Sequence, residues 1–323
     1  MLHSTRTAAQ KRQDLRALLT PGAAQPFPGA FTPLSATLIQ EKGFPGVYIS
    51  GAVIANELAL PDIGLTTLSE VAARGRQIAA ATDLPCLIDA DTGFGEPMNV
   101  ARTIGELEDA GLAGCHIEDQ VNPKRCGHLD GKTMVDEETA TQRIRAAADG
   151  RRDEGFLVMA RTDLRATSGL DAAIDRMKAL VDAGADAIFP EALADLSEFE
   201  QVCAALDVPV LANMTEFGKS ELFTRTQLAE AGVAMVIYPV TLLRAAMGAA
   251  ERVLETILSE GTQAPRVDEM LTRARLYELV DYEGYTRFDA SIFDFEVPAV
   301  RRADSAPRTD RTPDTAVDPR SDS

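Results

Sequence analysis

The stretch 85-PCLIDADTGFG-95 opens as an apolar, strand-like run and closes on two aspartates and two glycines. Before it lies 66-TTLSEVAARGRQIAAAT-82, a helical segment, and the next strand-like run after it is 114-GCHIEDQ-120. The same alternation runs along the chain, with strand-like runs at 27–33, 46–51, 85–93, 114–120, 156–163, 187–192, 208–215 and 233–240. Several helical segments end in Ala-Gly just before a strand, at Gly111, Gly184 and Gly232, where glycine suits a left-handed C-cap. Eight strand–helix units in about 250 residues is the size of a (β/α)8 barrel of the TIM type. A doubly wound sheet is the rival, but no glycine-rich phosphate fingerprint follows the first strands.

The reading divides the chain into a surface helix or arm (residues 1–24), the barrel with further C-terminal helices (25–290) and a tail (291–323). A long helix is expected over 242–261 and more helix over 266–290. Val317 is the only large aliphatic residue between Arg301 and Ser323, so the composition predicts a largely disordered tail.

With 45% apolar residues, the 323-residue chain can fill a large core. Its net charge of −18 disfavours nucleic acid and anionic membranes, and an anionic substrate would need a local positive pocket. The apolar runs are strand-sized, and the N-terminus has no apolar signal core. Cys86, Cys115, Cys126 and Cys203 match no zinc or disulfide framework, which fits a reducing, cytoplasmic setting. Cys86, Cys115 and Cys203 read as structural.

The chemistry of a barrel sits at the C-terminal strand ends. In order these carry Tyr48, Ser50 and Gly51; Asp89 and Asp91; His116, Glu118 and Asp119; Arg161 and Asp163; Glu191; Asn213 and Thr215; Tyr238. Residues two apart share a side of a strand, which pairs Asp89 with Asp91, His116 with Glu118 and Arg161 with Asp163. Asp89 and Asp91 are either hard oxygen ligands suited to Mg²⁺ or a helix cap and a salt bridge; Glu118 on the neighbouring strand favours the metal. His116 either orients a carboxylate or fills space.

Beyond that strand comes 123-PKRCGHLDGK-132, a loop expected to hang over the proposed metal. Lys124, Arg125 and His128 favour the thiolate of Cys126, and Gly127 gives the backbone room to bend and a substrate room to approach. Such a thiol can attack carbon or deliver a proton.

The run 124-KRCGH-128, with YISG, LPDIG, DADTGFG, HIEDQ, MARTD, LDAAI, FPEA, LANMTEFG, YPV and EGTQ in order, resembles the isocitrate lyase and phosphoenolpyruvate mutase superfamily from about Phe27 to about Tyr285. The resemblance implies a (β/α)8 barrel whose eighth helix is exchanged between subunits in a dimer of dimers, a homotetramer. It implies Mg²⁺ at Asp89 and Asp91, and cleavage of the tricarboxylate 2-methylisocitrate into pyruvate and succinate in propionate breakdown through the methylcitrate cycle. By the same resemblance Ser50, Gly51, Ala52 and Arg161 hold the pyruvate end. Glu191, Asn213, Met214, Thr215, Arg244 and Arg273 hold the succinate half. Cys126, Gly127 and His128 lie on the catalytic loop, with Cys126 as acid. The base is Tyr48, or a carboxylate such as Glu118, or a histidine near the metal. Ala52 stands where the family often has a glycine-rich run.

Three rivals remain. Isocitrate lyases usually have longer chains and commonly a lysine where Arg125 stands. Phosphonate and oxaloacetate enzymes of the superfamily generally lack the loop cysteine. A non-catalytic barrel is disfavoured because Asp89, Glu118 and Cys126 are all present.

Overall fold

The computed structural model describes residues 4–125, 131–218 and 220–293. The eight anticipated strands are all present: β1 (Gln25–Pro28), β2 (Val47–Ile49), β3 (Cys86–Asp89), β4 (Gly114–Glu118), β5 (Leu157–Thr162), β6 (Ala187–Pro190), β7 (Leu211–Asn213) and β8 (Met235–Tyr238). Every pairing is parallel, in the orders β2-β3-β4-β5-β6 and β1-β8-β7. Parallel bridges between Gly29 and Tyr48 and between Ile188 and Val210 join the two groups, so the sheet closes into a barrel. At the first seam Gly29 is required, because a Cβ there would stand 1.9 Å from the Pro239 carbonyl oxygen.

Side-chain alternation sorts each strand into two cores. Val158 and Ala160 of β5 join Ile88, Cys115, Ile117 and Val236 in the layer between barrel and helices. Leu157 and Met159 point inward and pack with Phe27, Tyr48, Leu87, Phe189 and Ile237. Gly111, Gly184 and Gly232 follow their helices at φ of +80°, +111° and +93°, the conformation expected of them.

The N-terminal helix, Ala8–Leu18, is present, but it is built into the barrel floor and is no surface arm. Leu15 and Leu19 are buried in the inner core. The Lys11 ammonium donates to the carbonyls of Ala79 and Thr82 at the end of helix Leu68–Ala80. Arg12 donates to Glu108 O and Leu112 O at the end of helix Pro97–Asp109. Both cations thus satisfy orphan carbonyls at the negative ends of helix dipoles. Polar periodicity read alone suggests a solvent-facing helix; these cations are polar because they bind backbone.

At the other end of the chain the long helix is Thr241–Glu260, and Thr256 is its only buried residue. The helical stretch expected over 266–290 is three pieces: a 3-10 turn at Ala264–Glu269 and helices Arg273–Leu279 and Tyr282–Phe293. Among the described residues no helix is long and apolar enough to cross a membrane. The tail beyond residue 293 lies outside the described residues.

Leu15→Ala should destabilise the protein by about 2–5 kcal/mol, the range for truncating a buried leucine. Urea unfolding followed by circular dichroism would measure it. A change within about 0.5 kcal/mol would mean that the helix is a dispensable surface element.

Candidate active site

The C-terminal rim of the barrel surrounds a cavity of about 850 Å³ whose walls include Tyr48, Ser50, Ala52, Asp89, Arg161, Glu191, Asn213, Thr215 and Arg244. Nine residues singled out by strand-end position or family resemblance therefore meet around one space.

The acidic corner is organised by backbone. Asp89 ends β3 and accepts hydrogen bonds from Gly51 N–H to Oδ2 (3.2 Å) and from Asp91 N–H to Oδ1 (3.0 Å). Asp91 lies beyond the strand at φ +46°, so strand alternation is not what pairs it with Asp89. A tight turn does so. A Cβ placed on Gly51 would stand 2.9 Å from Asp89 Oδ2 and 3.3 Å from Asp91 Oδ1, which shows that the two carboxylates converge. Burial pushes Asp91 up to about 6, with Asp89 adding to the rise and Lys124 opposing it. Burial would raise Asp89 too, but His116, Lys124 and Arg161 outweigh it and hold Asp89 below the usual carboxylate range.

Lys124 closes this corner. Its ammonium is hydrogen-bonded to Asp62 and lies 2.8 Å from Asp91 Oδ1. The latter is an ion pair at close range. Asp62 was not anticipated as a site residue; its place in LPDIG was the available signal.

On the neighbouring strands a guanidinium is shared. Glu118 and Arg161 are register partners on β4 and β5. Arg161 Nε lies 3.3 Å from Glu118 Oε2 and 3.0 Å from Asp163 Oδ2, and Nη2 lies 3.0 Å from Glu191 Oε2. Its plane also sits 5.0 Å from the centre of the Phe189 ring. Burial would discourage the charge on Arg161, but Asp163, Glu191 and Glu118 hold its pKa well above the ordinary value. Burial drives Glu118 well above the carboxylate range despite Arg161, and Glu118 Oε1 has no hydrogen-bond partner. Glu118 stands behind this network and is not a cavity wall.

Tyr48 Oη and His116 Nε2 are 2.8 Å apart, both buried, with their rings stacked at 5.9 Å. Burial raises the Tyr48 pKa well above its usual value. Burial also lowers His116 to about 4, Arg161 assisting and Asp89 opposing. The imidazole is therefore neutral at pH 7 and the phenol keeps its proton.

At the outer rim Arg244 Nη1 bonds Thr215 Oγ1 (3.2 Å), Glu216 O (2.9 Å) and Glu216 Oε2 (2.8 Å), and its guanidinium packs on Phe217. Asn213 Nδ2 reaches Glu191 Oε1 at 3.5 Å. Glu216 and Phe217 were missed, though 211-LANMTEFG-218 contains them.

Two expected wall residues lie elsewhere. Met214 is buried in the outer core and its sulfur accepts the Phe223 N–H, because alternation turns it away from Asn213 and Thr215. Arg273 is exposed at the start of helix Arg273–Leu279. That helix is tied by Arg275 to Glu41, the last residue of helix Pro33–Glu41, at the end of the barrel away from the cavity. Gly51 acts behind the wall through its N–H on Asp89. Cys126, Gly127 and His128 lie outside the described residues; Arg125 on one side lines the cavity, and on the other Lys132 Nζ pairs with Asp163 Oδ1 at 2.5 Å.

Do these residues suit Mg²⁺? Among the described residues no group of three or more His, Cys, Asp and Glu side chains could hold a metal. Mg²⁺ needs fewer, since it keeps several waters and takes one or two carboxylates. The converging oxygens of Asp89 and Asp91 fit that pattern.

A parallel barrel carries its chemistry at the C-terminal rim, and arginines among carboxylates there suit the recognition of small anions. The family model for phosphoenolpyruvate phosphomutase matches residues 15–258, and this chain belongs to that family. It is similar to "Probable 2-methylisocitrate lyase 2" of Corynebacterium glutamicum, 58% identical over 292 residues that cover 90% of this chain and 95% of that one. It is 47% identical to the 2-methylisocitrate lyase of Escherichia coli over 272 residues, 84% of this chain and 92% of that one. Among solved structures, 2,3-dimethylmalate lyase superposes with a TM-score of 0.81 at 33% identity, covering 90% of this chain and 96% of that one. A phosphonopyruvate hydrolase solved with oxalate and Mg²⁺ superposes at 0.77 with 26% identity, covering 90% of this chain and all of that one.

The His116 environment sets a pH dependence. The folded protein binds fewer protons there than the unfolded chain, whose histidine titrates near 6.5. Its contribution to stability is therefore intact above about 6.5 and lost as pH falls towards 4. Imidazole NMR signals of His116 should show a neutral ring from pH 8 to about 5; a midpoint near 6.5 would contradict this burial.

Proposed function

We propose that this chain is a carbon–carbon lyase that cleaves 2-methylisocitrate into pyruvate and succinate, in the cytoplasm and in propionate breakdown through the methylcitrate cycle. The observation that carries the reading is one cavity whose walls include Arg161, Arg244, Lys124 and Arg125 together with Asp89. A tricarboxylate brings more negative charge than an acidic protein can accept without such local cations. The names of the relatives, at 58% and 47% identity over most of both chains, support the same substrate.

Asp89 and Asp91 would hold Mg²⁺, which when bound supplies Lewis-acid stabilisation of charge on the C2 oxygen. Ser50, Ala52 and Arg161 orient the pyruvate end, and Glu191, Asn213, Thr215 and Arg244 the succinate end. The C2 hydroxyl gives its proton to Tyr48 Oη as the Tyr48 proton passes to His116 Nε2, so the buried phenol never carries a free charge. The O–H electrons form the C2 carbonyl, and the C2–C3 bond breaks with its electron pair left on C3. Cys126 on the loop delivers the proton that completes succinate, its S–H bond breaking as the C3–H bond forms. Glu118 and Asp163 act at one remove, holding Arg161.

The long helix supports an assembly. Leu258 is 90% exposed, Leu254 65% and Met247 60%, on one stripe of a helix whose sole buried residue is Thr256. We propose that this stripe is covered in a homotetramer, a dimer of helix-exchanged dimers.

Cleavage should be followed as 2-oxo acid release from 2-methylisocitrate and from isocitrate. The expected result is a clear preference for the methylated substrate, loss of activity in chelator, and a fall of about a hundredfold or more in turnover for Cys126→Ser. Glyoxylate formation from preferred isocitrate would overturn the substrate; an unchanged Cys126→Ser rate would remove the acid. Separately, sedimentation velocity should give a tetramer at micromolar concentration and a smaller species for Leu254→Asp with Leu258→Asp. A wild-type monomer would refute the assembly.

A further inference from the structure

Lys124 is a cation buried beside the carboxylates proposed to hold another cation. Its side chain is 4% exposed, its ammonium is hydrogen-bonded to Asp62, and it lies 2.8 Å from Asp91 Oδ1. That oxygen and Asp89 Oδ2 approach the same point beside Gly51. The lysine therefore neutralises Asp91 as a buried ion pair. Asp62, Asp89 and Asp91 repel one another, and some positive charge must sit among them. An ammonium and a divalent ion, however, cannot share one carboxylate oxygen at contact distance without strong repulsion. Lys124 also lines the substrate cavity next to Arg125, so its flexible stem gives the ammonium a second place to lie.

We propose that Lys124 is the built-in counter-ion of the acidic corner, and that a divalent cation entering at Asp89 and Asp91 displaces its ammonium from Asp91 into the substrate cavity. The inference rests on reading Asp89 and Asp91 as divalent-cation ligands. Its functional consequence is a coupling: the entering metal presents a fresh positive charge to the substrate carboxylates, so metal and anion strengthen each other's binding. Lys132 differs. It pairs with Asp163, which faces Arg161 and not the acidic corner, and it has no reason to move.

The test is lysine acylation of the full-length protein with acetic anhydride, read by peptide mass spectrometry with and without Mg²⁺, Lys132 serving as internal reference. In parallel, Mn²⁺ binding is titrated by electron paramagnetic resonance for the wild type, Lys124→Met and Asp89→Asn. Mg²⁺ should raise Lys124 acylation about fivefold or more relative to Lys132, and Lys124→Met should bind Mn²⁺ about tenfold more tightly than the wild type. Asp89→Asn should lose both Mn²⁺ binding and the labelling response. Saturable Mn²⁺ binding by the wild type with unchanged Lys124 acylation would overturn the displacement and leave the metal site standing. No saturable binding by the wild type would remove the metal site and this inference together. The labelling arm needs no variant, so a poorly folded Lys124→Met does not blunt it.

Discussion

One guanidinium holds three carboxylates at the centre of the rim. Arg161 meets Glu118, Asp163 and Glu191 within 3.3 Å while its face lies on Phe189. All are buried, so none can borrow solvation from water, and leaving one such partner alone costs about 3–5 kcal/mol. The network fixes Glu191, which orients its own neighbourhood by accepting the Ala192 N–H. Through Asp163 it also holds Lys132 beside the end of β5. Geometry at Lys132, on β4 and on β6 thus depends on where one side chain on β5 points.

That side chain points inward because of register. Glu118 and Arg161 are direct partners across the parallel pair β4·β5, and Asp89 and His116 across β3·β4. A slip of one residue in either pair would send each charged group into the aliphatic layer beneath the helices, against Ile88, Ile117 or Val158. The apolar alternation below the rim therefore positions the rim side chains by ordinary packing. The buried charges in return make a slipped register costly, since it would part Arg161 from Glu118 and Glu191.

How much of this could be read beforehand follows from the range of each signal. Strand alternation is local and repeats eight times, so the barrel and the inward set at Glu118, Arg161 and Asn213 were legible. Met214 failed for the same local reason: a family-style grouping with its neighbours overlooked that alternation turns it outward. Asp91 came to the right place by a different cause, a left-handed turn that no period-two argument contains. Arg273 depended on where a twenty-residue helix, about 30 Å long, delivers the chain, a non-local matter. The Asp62–Lys124 pair spans 62 positions and could not be seen in either segment alone. Lys124 was visible only as a charge near a thiol.

The charge distribution gives these placements a common logic. A chain of net charge −18 repels small anions at a distance, and an open positive patch on it would be screened and unselective. Arg161 and Lys124 are instead buried against carboxylates, while Arg244 stands nearer solvent with Glu216. Before a ligand arrives their charges are largely spoken for, which keeps the cavity from trapping any passing anion. On the proposed reading a ligand would have to offer several carboxylates in the right places, or come with a cation that takes over Asp91, before those charges turn towards it. On the same reading, selectivity for a metal-associated polyanion would arise from competition inside the protein, between the site's own carboxylates and those of the substrate.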